Sequence, residues 1–589
     1  MGVVKKKDLT FCTIISICVG IFLLFLACYK YVGFYYEIND DISMQAIASG
    51  KSFGYPDAHL TFIQYPLGVL ISFLFKVFPG TDWYGLFMIG AIMLCCIIIV
   101  LRVVKLLNHK KNRLLGMILC GLILVVFGFD NMIFFQFTTV SGILASAALF
   151  LLITEQDGKF SASKVLIVGL FCLSLCVRKK VFLMFAPASL LCVLIRIVRE
   201  AEDNNLGSLK SKCRSSITKN RAFLLICFIL FVLYFLVSFI NKQAYSNHEW
   251  QEYFLFRTYR SNIVDYDGFP PFVGNQMYYR TLGINEEEQA CLSTFFGVLP
   301  DIDSEKLKYI YSLNKANENK SFTGIVCKAV SVLKSVLELK SGLYWKLGLW
   351  VSVIFALLYT PSQVIRSSKV PILFYSILQL GIFVYLLING RFPARVFFVF
   401  CIECVTIVFG FFLKALSKNS LFQEKHVEQN SKVLGFAVAV MIAFSISSVY
   451  STISSVGSYN SGIEKYQEYI ALVNSNPERF YIVPTGTVST KKQFFVNNYN
   501  PKANAIGTAG WSSKSPWQYK LLKSNGIDVD KEYLLQDGVY MLTKNLVPAD
   551  KLTNYYLSEG LIHESYEIVE VREMPASGYY YVLKWNKAE

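Results

Sequence analysis

Eleven long apolar runs constrain this chain more than any other feature. They cover residues 11–33, 83–106, 114–130, 132–153, 165–177, 181–198, 222–240, 343–360, 369–388, 396–413 and 433–449. A bilayer core takes about 20 apolar residues in a helix, because inside lipid every backbone polar group must be satisfied within the segment. The expected fold class is therefore a polytopic α-helical membrane protein of about eleven spans. The runs 165–177 and 181–198 are short and read as one broken helical unit. The first run is too long for a signal-peptide core, and no small-residue cleavage site follows it, so it is read as a span.

Composition matters for one competing reading. The chain has 589 residues, with 57 Lys+Arg against 41 Asp+Glu and a net charge of +16, which by itself suggests a nucleic-acid partner. Hydrophobic residues make up 54% and charged residues only 17%, below the quarter or so that soluble domains carry. An aromatic content of 15% also excludes intrinsic disorder. The excess charge sorts by position. Basic clusters at Lys5–Lys7, 102–113, 196–221, 366–369 and 414–432 fall on one side if the apolar stretch 60–78 is left out of the spans. Counting that stretch as a span places the basic loops outside, against the positive-inside rule. Residues 60–78 are accordingly expected to lie as a helix in the outer interface. With eleven spans and the N-terminus inside, the C-terminus lies outside. The tail 450–589 carries 14 basic and 14 acidic residues. The positive excess is thus a topology signal facing anionic lipid, and no nucleic-acid partner is expected.

This topology exposes four segments on the outer face: the first loop 34–82, a large loop 241–342, a short loop 389–395 and the tail 450–589. The chain divides into a transmembrane domain, 1–449, and an extracytoplasmic C-terminal domain, 450–589. The tail mixes strand-like stretches at 479–483, 566–571 and 579–585 with helix-like ones at 463–474, 515–524 and 548–558, which suggests an α/β or α+β unit. Most of the 15 cysteines lie in apolar runs and act as small hydrophobes. Cys291 and Cys327 share a polar segment and are the pair open to a disulfide. No cysteine spacing suits zinc.

The first loop holds the sharpest chemical signal. Asn39-Asp40-Asp41 follows the first span directly. Adjacent carboxylates repel, so one holds its proton more tightly and suits a general base near neutral pH. The same residues also suit an exposed acidic turn or helix cap. Further on, Asp57 and His59 form a second polar pair, either part of a site or a loop histidine at the interface. Cations outside are disfavoured by the topology rule, yet Arg178-Lys179-Lys180 sits at an outer turn, and Arg391 and Arg395 sit in the short loop 389–395. A guanidinium fork matches phosphate oxygens; snorkelling to lipid headgroups is the other use of such residues. Glu403 falls inside a span, where a carboxylate is costly.

An acidic motif straight after span one, a surface helix at 60–78 and a second span at 83–106 resemble the GT-C superfamily of polytopic glycosyltransferases. That superfamily includes the protein O-mannosyltransferases and the bacterial lipid A aminoarabinose transferases. The resemblance covers residues 1–240 by layout and 343–449 loosely, and it rests on position more than on residue identity. It implies an enzyme on the outer face of a bacterial plasma membrane, moving a sugar from a polyprenyl-phosphate donor to a glycan, glycolipid or protein acceptor with inversion. Asp40 or Asp41 would be the base, and Arg391, Arg395, Arg178 and Lys179 would hold the lipid phosphate. Asp57 and His59 would be further substrate contacts. The resemblance implies no obligatory cofactor, although some relatives use a divalent metal. Tyr245, Trp250, Tyr253, Tyr259 and Tyr266 are either sugar-stacking or core aromatics. A glycolipid transporter or flippase and a non-catalytic protein of envelope glycan assembly are the alternatives. The first calls for polar groups at mid-membrane and often for related halves.

Overall fold

A computed structural model describes residues 11–51, 53–155, 160–202, 209–317, 322–337, 363–388, 392–417, 427–488, 490–495 and 503–588. The chain is mostly helical. Among the described residues, eight helices are long and apolar enough to cross a membrane: Phe11–Tyr31, Trp83–Leu106, Lys110–Ile133, Phe137–Thr154, Lys179–Val198, Arg221–Ala244, Ala394–Leu416 and Val438–Ser475. Shorter apolar helices span Tyr65–Val77, Ala162–Val177 and Leu373–Ile388. Ten of the eleven apolar runs thus fall on helices, and the run 343–360 lies outside the described residues. The helices Phe137–Thr154 and Ala394–Leu416 are almost wholly buried and form the centre of the bundle. Phe11–Tyr31 and Arg221–Ala244 expose large apolar side chains such as Leu24, Phe228 and Phe235. An apolar surface of this extent suits lipid, and the protein is a multi-pass membrane protein.

Local signals account for the ends of these helices. Asp82 caps Trp83–Leu106, its Oδ1 accepting from the Gly85 amide at 3.2 Å. The helix Asn39–Ser49 starts with Asp40 and Asp41 in its first turn, where the helix dipole favours negative charge. Its N-cap is Ile38, with no side-chain cap bond, so neither Asn39 nor the acidic pair serves as the cap. The helix stops at Gly50, in the left-handed region at φ +76. The stretch 60–78 gives only the 13-residue helix Tyr65–Val77, opened by Pro66 in its first turn. Its outer side bears exposed Leu70 and Phe73, while Leu67, Ile71 and Phe75 are buried.

The tail holds a five-stranded sheet in the order Ala505–Gly507, Phe480–Val483, Val539–Thr543, Gly578–Lys584, Glu567–Met574. The first three strands are parallel and the last two pair antiparallel. Helices Pro516–Ser524 and Val547–Ser558 supply buried Leu521, Leu522, Leu552 and Tyr556 to a core that also contains Cys291, Phe295 and Phe296 of the 241–342 segment. One helix, Val427–Ser475, runs unbroken across position 450 and ends on this sheet through Leu472 and Val473. Cys291 is buried and Cys327 exposed, and the structure does not join them.

A smaller sheet fastens the tail to the first loop. Strand Tyr35–Tyr36 pairs in parallel with Phe134–Phe135 and antiparallel with Lys492–Gln493. Tyr36 donates to Asp82 Oδ2 at 2.6 Å, and Lys492 Nζ donates to Gln45 Oε1 at 2.9 Å. The Phe494 ring packs where a Cβ on Gly85 would come within 2.5 Å of it and within 3.0 Å of the Tyr36 hydroxyl. Gly85→Ala is therefore expected to destabilise the protein by about 1–3 kcal/mol through overpacking, read as a lower unfolding temperature with the helical circular dichroism unchanged.

Candidate active site

The acidic pair splits into two environments. Asp41 is fully buried, and its Oδ1 accepts from the Tyr84 hydroxyl at 2.6 Å and from the Phe137 amide at 3.0 Å. It thereby ties three elements together: the first-loop helix, the start of the 83–106 helix and the start of the 137–154 helix. Its Oδ2 is buried with no hydrogen-bond partner among the described residues. Burial pushes the Asp41 carboxyl well above the ordinary carboxylate range; the Tyr84 and Phe137 bonds oppose this, and the charges of Asp40 and Glu37 add to it. Asp40 is only partly buried, and its Oδ2 lies 3.4 Å from Arg395 Nη1.

This division predicts a pH signature. The folded Asp41 carboxyl keeps its proton above the unfolded value of about 3.9. The stability this confers is complete below that value and declines as pH rises towards the folded pKa. Asn reproduces the protonated form, with an oxygen for Tyr84 and Phe137. Asp41→Asn is expected to match the wild type near pH 3.5 and to gain on it as pH rises above the unfolded value of about 3.9, as measured by thermal unfolding over a pH series.

Arg395 opens onto a cavity of about 760 Å³. Arg178, Lys180 and Lys328 also line it, together with Tyr266, Tyr311 and Tyr385 and a floor of Leu183, Met184, Pro187, Ile382 and Val399. The cavity lining thus combines cationic with apolar side chains. Arg178 follows the 162–177 helix, and its guanidinium lies 5.1 Å from the Phe137 ring centroid and 5.4 Å from that of Phe62. Burial, with the Arg395 and Arg257 cations, brings the Arg178 guanidinium down to about 10, against the pull of Asp40 and Asp41. Three arginines therefore crowd one another beside two carboxyls, and burial favours the protonated form of one of them, Asp41. A bound anion would relieve this. Arg395 also sits in the first turn of the 394–416 helix, after Pro393, where the helix dipole is positive and favours an anion over a cation.

The other sequence-derived candidates fall as follows. Lys179 points away from the cavity, its Nζ donating to Ser238 Oγ at 2.9 Å and lying over the Tyr234 ring at 4.6 Å. Its neighbour Lys180 faces the cavity instead. Arg391 lies outside the described residues. Asp57 and His59 form a clamp of their own. Asp57 Oδ1 accepts the His59 amide at 2.8 Å and lies 2.6 Å from Nδ1, while Nε2 is 3.2 Å from the Ala244 carbonyl. The imidazole stacks on Trp250 at 4.8 Å. Burial would raise the Asp57 carboxyl, but the His59 hydrogen bonds hold it below its ordinary value. Both ring nitrogens are engaged, and neither residue lines the cavity. Glu403 is fully buried in the 394–416 helix and does not line it either.

Two arginines of the large loop escaped the sequence reading. Arg257 lies 4.6 Å above the Phe62 ring, beside Arg178, and Arg260 pairs with Asp265 at 3.7 Å. They stand one turn apart on helix His248–Asn262 among aromatic residues, and that i, i+3 spacing was the available signal. Of the aromatics, Tyr245, Trp250 and Tyr253 are core residues, 4%, 5% and 1% exposed; Trp250 and Tyr253 pack on Trp517 of the tail, and Tyr245 packs on Trp250. Tyr266, 47% exposed, lines the cavity. Among the described residues, no group of three or more His, Cys, Asp or Glu side chains is arranged to hold a metal ion.

No family model matches the sequence, and no curated protein matches it. Among solved structures, the chain is similar to ArnT from Cupriavidus metallidurans bound to undecaprenyl phosphate, at 12% identity over 97% of both chains with a TM-score of 0.35. The apo state of the same protein gives 11% identity over 97% of this chain and 98% of that one, with a TM-score of 0.35. It is also similar to the Archaeoglobus fulgidus oligosaccharyltransferase in its apo form, at 11% identity over 96% of this chain and 74% of that one, with a TM-score of 0.38.

Proposed function

We propose that this protein is an integral-membrane glycosyltransferase that uses a polyprenyl-phosphate sugar as donor. The observation that carries the reading is the pairing of Asp40 with Arg395, a residue that lines a cavity walled by both cationic and apolar side chains. A lipid-linked phosphate needs both linings: guanidinium and ammonium groups for its oxygens and an apolar wall for its chain.

The geometry supports the following roles. Asp40 is partly exposed and pairs with Arg395, which lines the cavity, whereas Asp41 is buried and spends Oδ1 on two structural bonds. Asp40 is accordingly the base and Asp41 a positioning residue that fixes the helix start carrying Asp40. As the acceptor oxygen attacks the anomeric carbon, Asp40 takes its proton. The bond from that carbon to the phosphate oxygen breaks, the electron pair leaves with the lipid phosphate, and the configuration inverts. Arg178 and Arg395, with Lys180 and Lys328 on the same cavity, stabilise the charge that grows on the leaving phosphate. No step calls on a metal.

In this reading the site lies on the extracytoplasmic face of a bacterial plasma membrane. The segment 241–342 and the C-terminal unit shape the entry of a glycan, glycolipid or protein acceptor. The test is surface glycan in the native host carrying the double replacement Asp40→Asn with Asp41→Asn. Loss of a glycan species supports the reading, and an unchanged glycan profile at wild-type protein levels overturns it.

A further inference from the structure

A second cavity, of about 390 Å³, lies at the other end of the bundle. It is lined by Arg102 and Lys105 from the last turns of the 83–106 helix, by Ser163, and by Ile14, Ile98, Leu151 and Leu166. Lys105 is 23 residues beyond the Asp82 cap, which at 1.5 Å per residue is about 34 Å along the helix, roughly one bilayer core. Four helices agree on the placement. Ile14 is near the start of the first helix, Leu151 near the end of the 137–154 helix, and Ser163 at the start of the 162–177 helix, whose far end meets the first loop through the Gln64 amide and the Cys176 carbonyl.

We propose that this cavity binds the phosphate headgroup of one anionic diacyl phospholipid. Two cations reach it. Arg102 is partly engaged, donating to Thr154 Oγ1 at 3.0 Å and lying 3.6 Å from Glu155 Oε2; Lys105 is exposed. At the start of the 162–177 helix, the Ser161 and Ser163 hydroxyls are buried without a hydrogen-bond partner among the described residues, and Ser161 makes no cap bond. Of these, Ser163 lines the cavity, and its unspent hydroxyl with the two cations forms a donor set for a phosphate monoanion. Leu166, which lines the cavity, is 37% exposed, and Ile15 and Val165, next in the chain to the lining residues Ile14 and Leu166, are 44% and 55% exposed, an apolar surface suited to acyl chains rather than to water. A free phosphate would satisfy the donors but leave that surface uncovered.

The test uses the full-length protein in detergent, with dioleoyl phosphatidylglycerol, dioleoyl phosphatidylcholine or inorganic phosphate added and lipid retention read by native mass spectrometry. One phosphatidylglycerol is expected to be retained at concentrations where phosphatidylcholine is not. The double replacement Lys105→Gln with Ser163→Ala is expected to weaken retention about five- to tenfold, with Arg102 left in place to hold Thr154. Leu166→Trp, which fills the apolar wall without touching a charge, is expected to weaken it as well. Equal retention of phosphatidylcholine overturns the inference, and so does undiminished retention in both variants or displacement of the lipid by inorganic phosphate. Because the site lies a bilayer away from Asp40, a negative result here leaves the transferase reading untouched.

Discussion

Replacing Asp40 by Asn is expected to lower kcat by about 10²–10⁴-fold, the range a positioned general base supplies, with little change in unfolding temperature. The structural cost is small because Asp40 is partly exposed and its one described ion pair, to Arg395, is 3.4 Å long; such pairs contribute about 1 kcal/mol or less. Asp41→Asn provides the contrast. Asn keeps the acceptor for Tyr84 and Phe137, so the helix start stays in place and most of the activity is expected to survive. Asp41→Leu removes that acceptor and leaves the buried Phe137 amide and Tyr84 hydroxyl unpaired, at about 1–3 kcal/mol for each group. It is expected to lower stability and activity together. Steady-state kinetics alongside thermal unfolding separate the two roles. Comparable kcat losses in Asp40→Asn and Asp41→Asn would refute the assignment of the base.

The second large effect is expected at the cations. Arg395→Gln and Arg178→Gln are each expected to cost about 10²–10³-fold in kcat/KM, the scale of losing one charge-stabilising donor from a preorganised site. Arg395→Lys is expected to recover only part of this, since an ammonium lacks the planar fork. The double variant is expected to lose less than the product of the single losses, because in the proposed reading both groups serve one phosphate. Lys179→Gln is expected to stay close to wild type, because its ammonium is committed to Ser238 and Tyr234. A Lys180→Gln loss larger than that of Lys179→Gln would confirm which of these neighbours faces the cavity.

That last pair shows what the sequence could and could not convey. The spans were legible because about 20 apolar residues in a row admit few other structures. The tail's strands at 480–483, 567–574 and 578–584 were legible from aromatic and β-branched content. The central strand Val539–Thr543 was not, being five residues with no alternation beside a turn, and Lys492–Gln493 is two polar residues made a strand only by its partner. Successive residues on a helix point about 100° apart, so a run such as Arg178-Lys179-Lys180 marks a cationic turn without showing which side chain enters a cavity. The two aspartates were equivalent in sequence; they differ because the Tyr84 hydroxyl and the Phe137 amide, 43 and 96 residues away, converge on Asp41 alone. Asp57 and His59 illustrate the converse case. A polar pair near the motif proved to be a clamp between the first loop and Ala244, and only the long-range partner revealed it.

The central claim is that Asp40 and the arginine-lined cavity together cleave a lipid-phosphate sugar. The most direct test incubates purified full-length protein in nanodiscs with a radiolabelled polyprenyl-phosphate sugar and follows release of the polyprenyl phosphate. The account predicts release by the wild type in the presence of an envelope extract as acceptor. It predicts donor binding without turnover in Asp40→Asn, and weakened binding in the Arg178→Gln, Arg395→Gln double variant. Donor that is neither bound nor consumed by the wild type, or turnover that persists undiminished in Asp40→Asn, would contradict it.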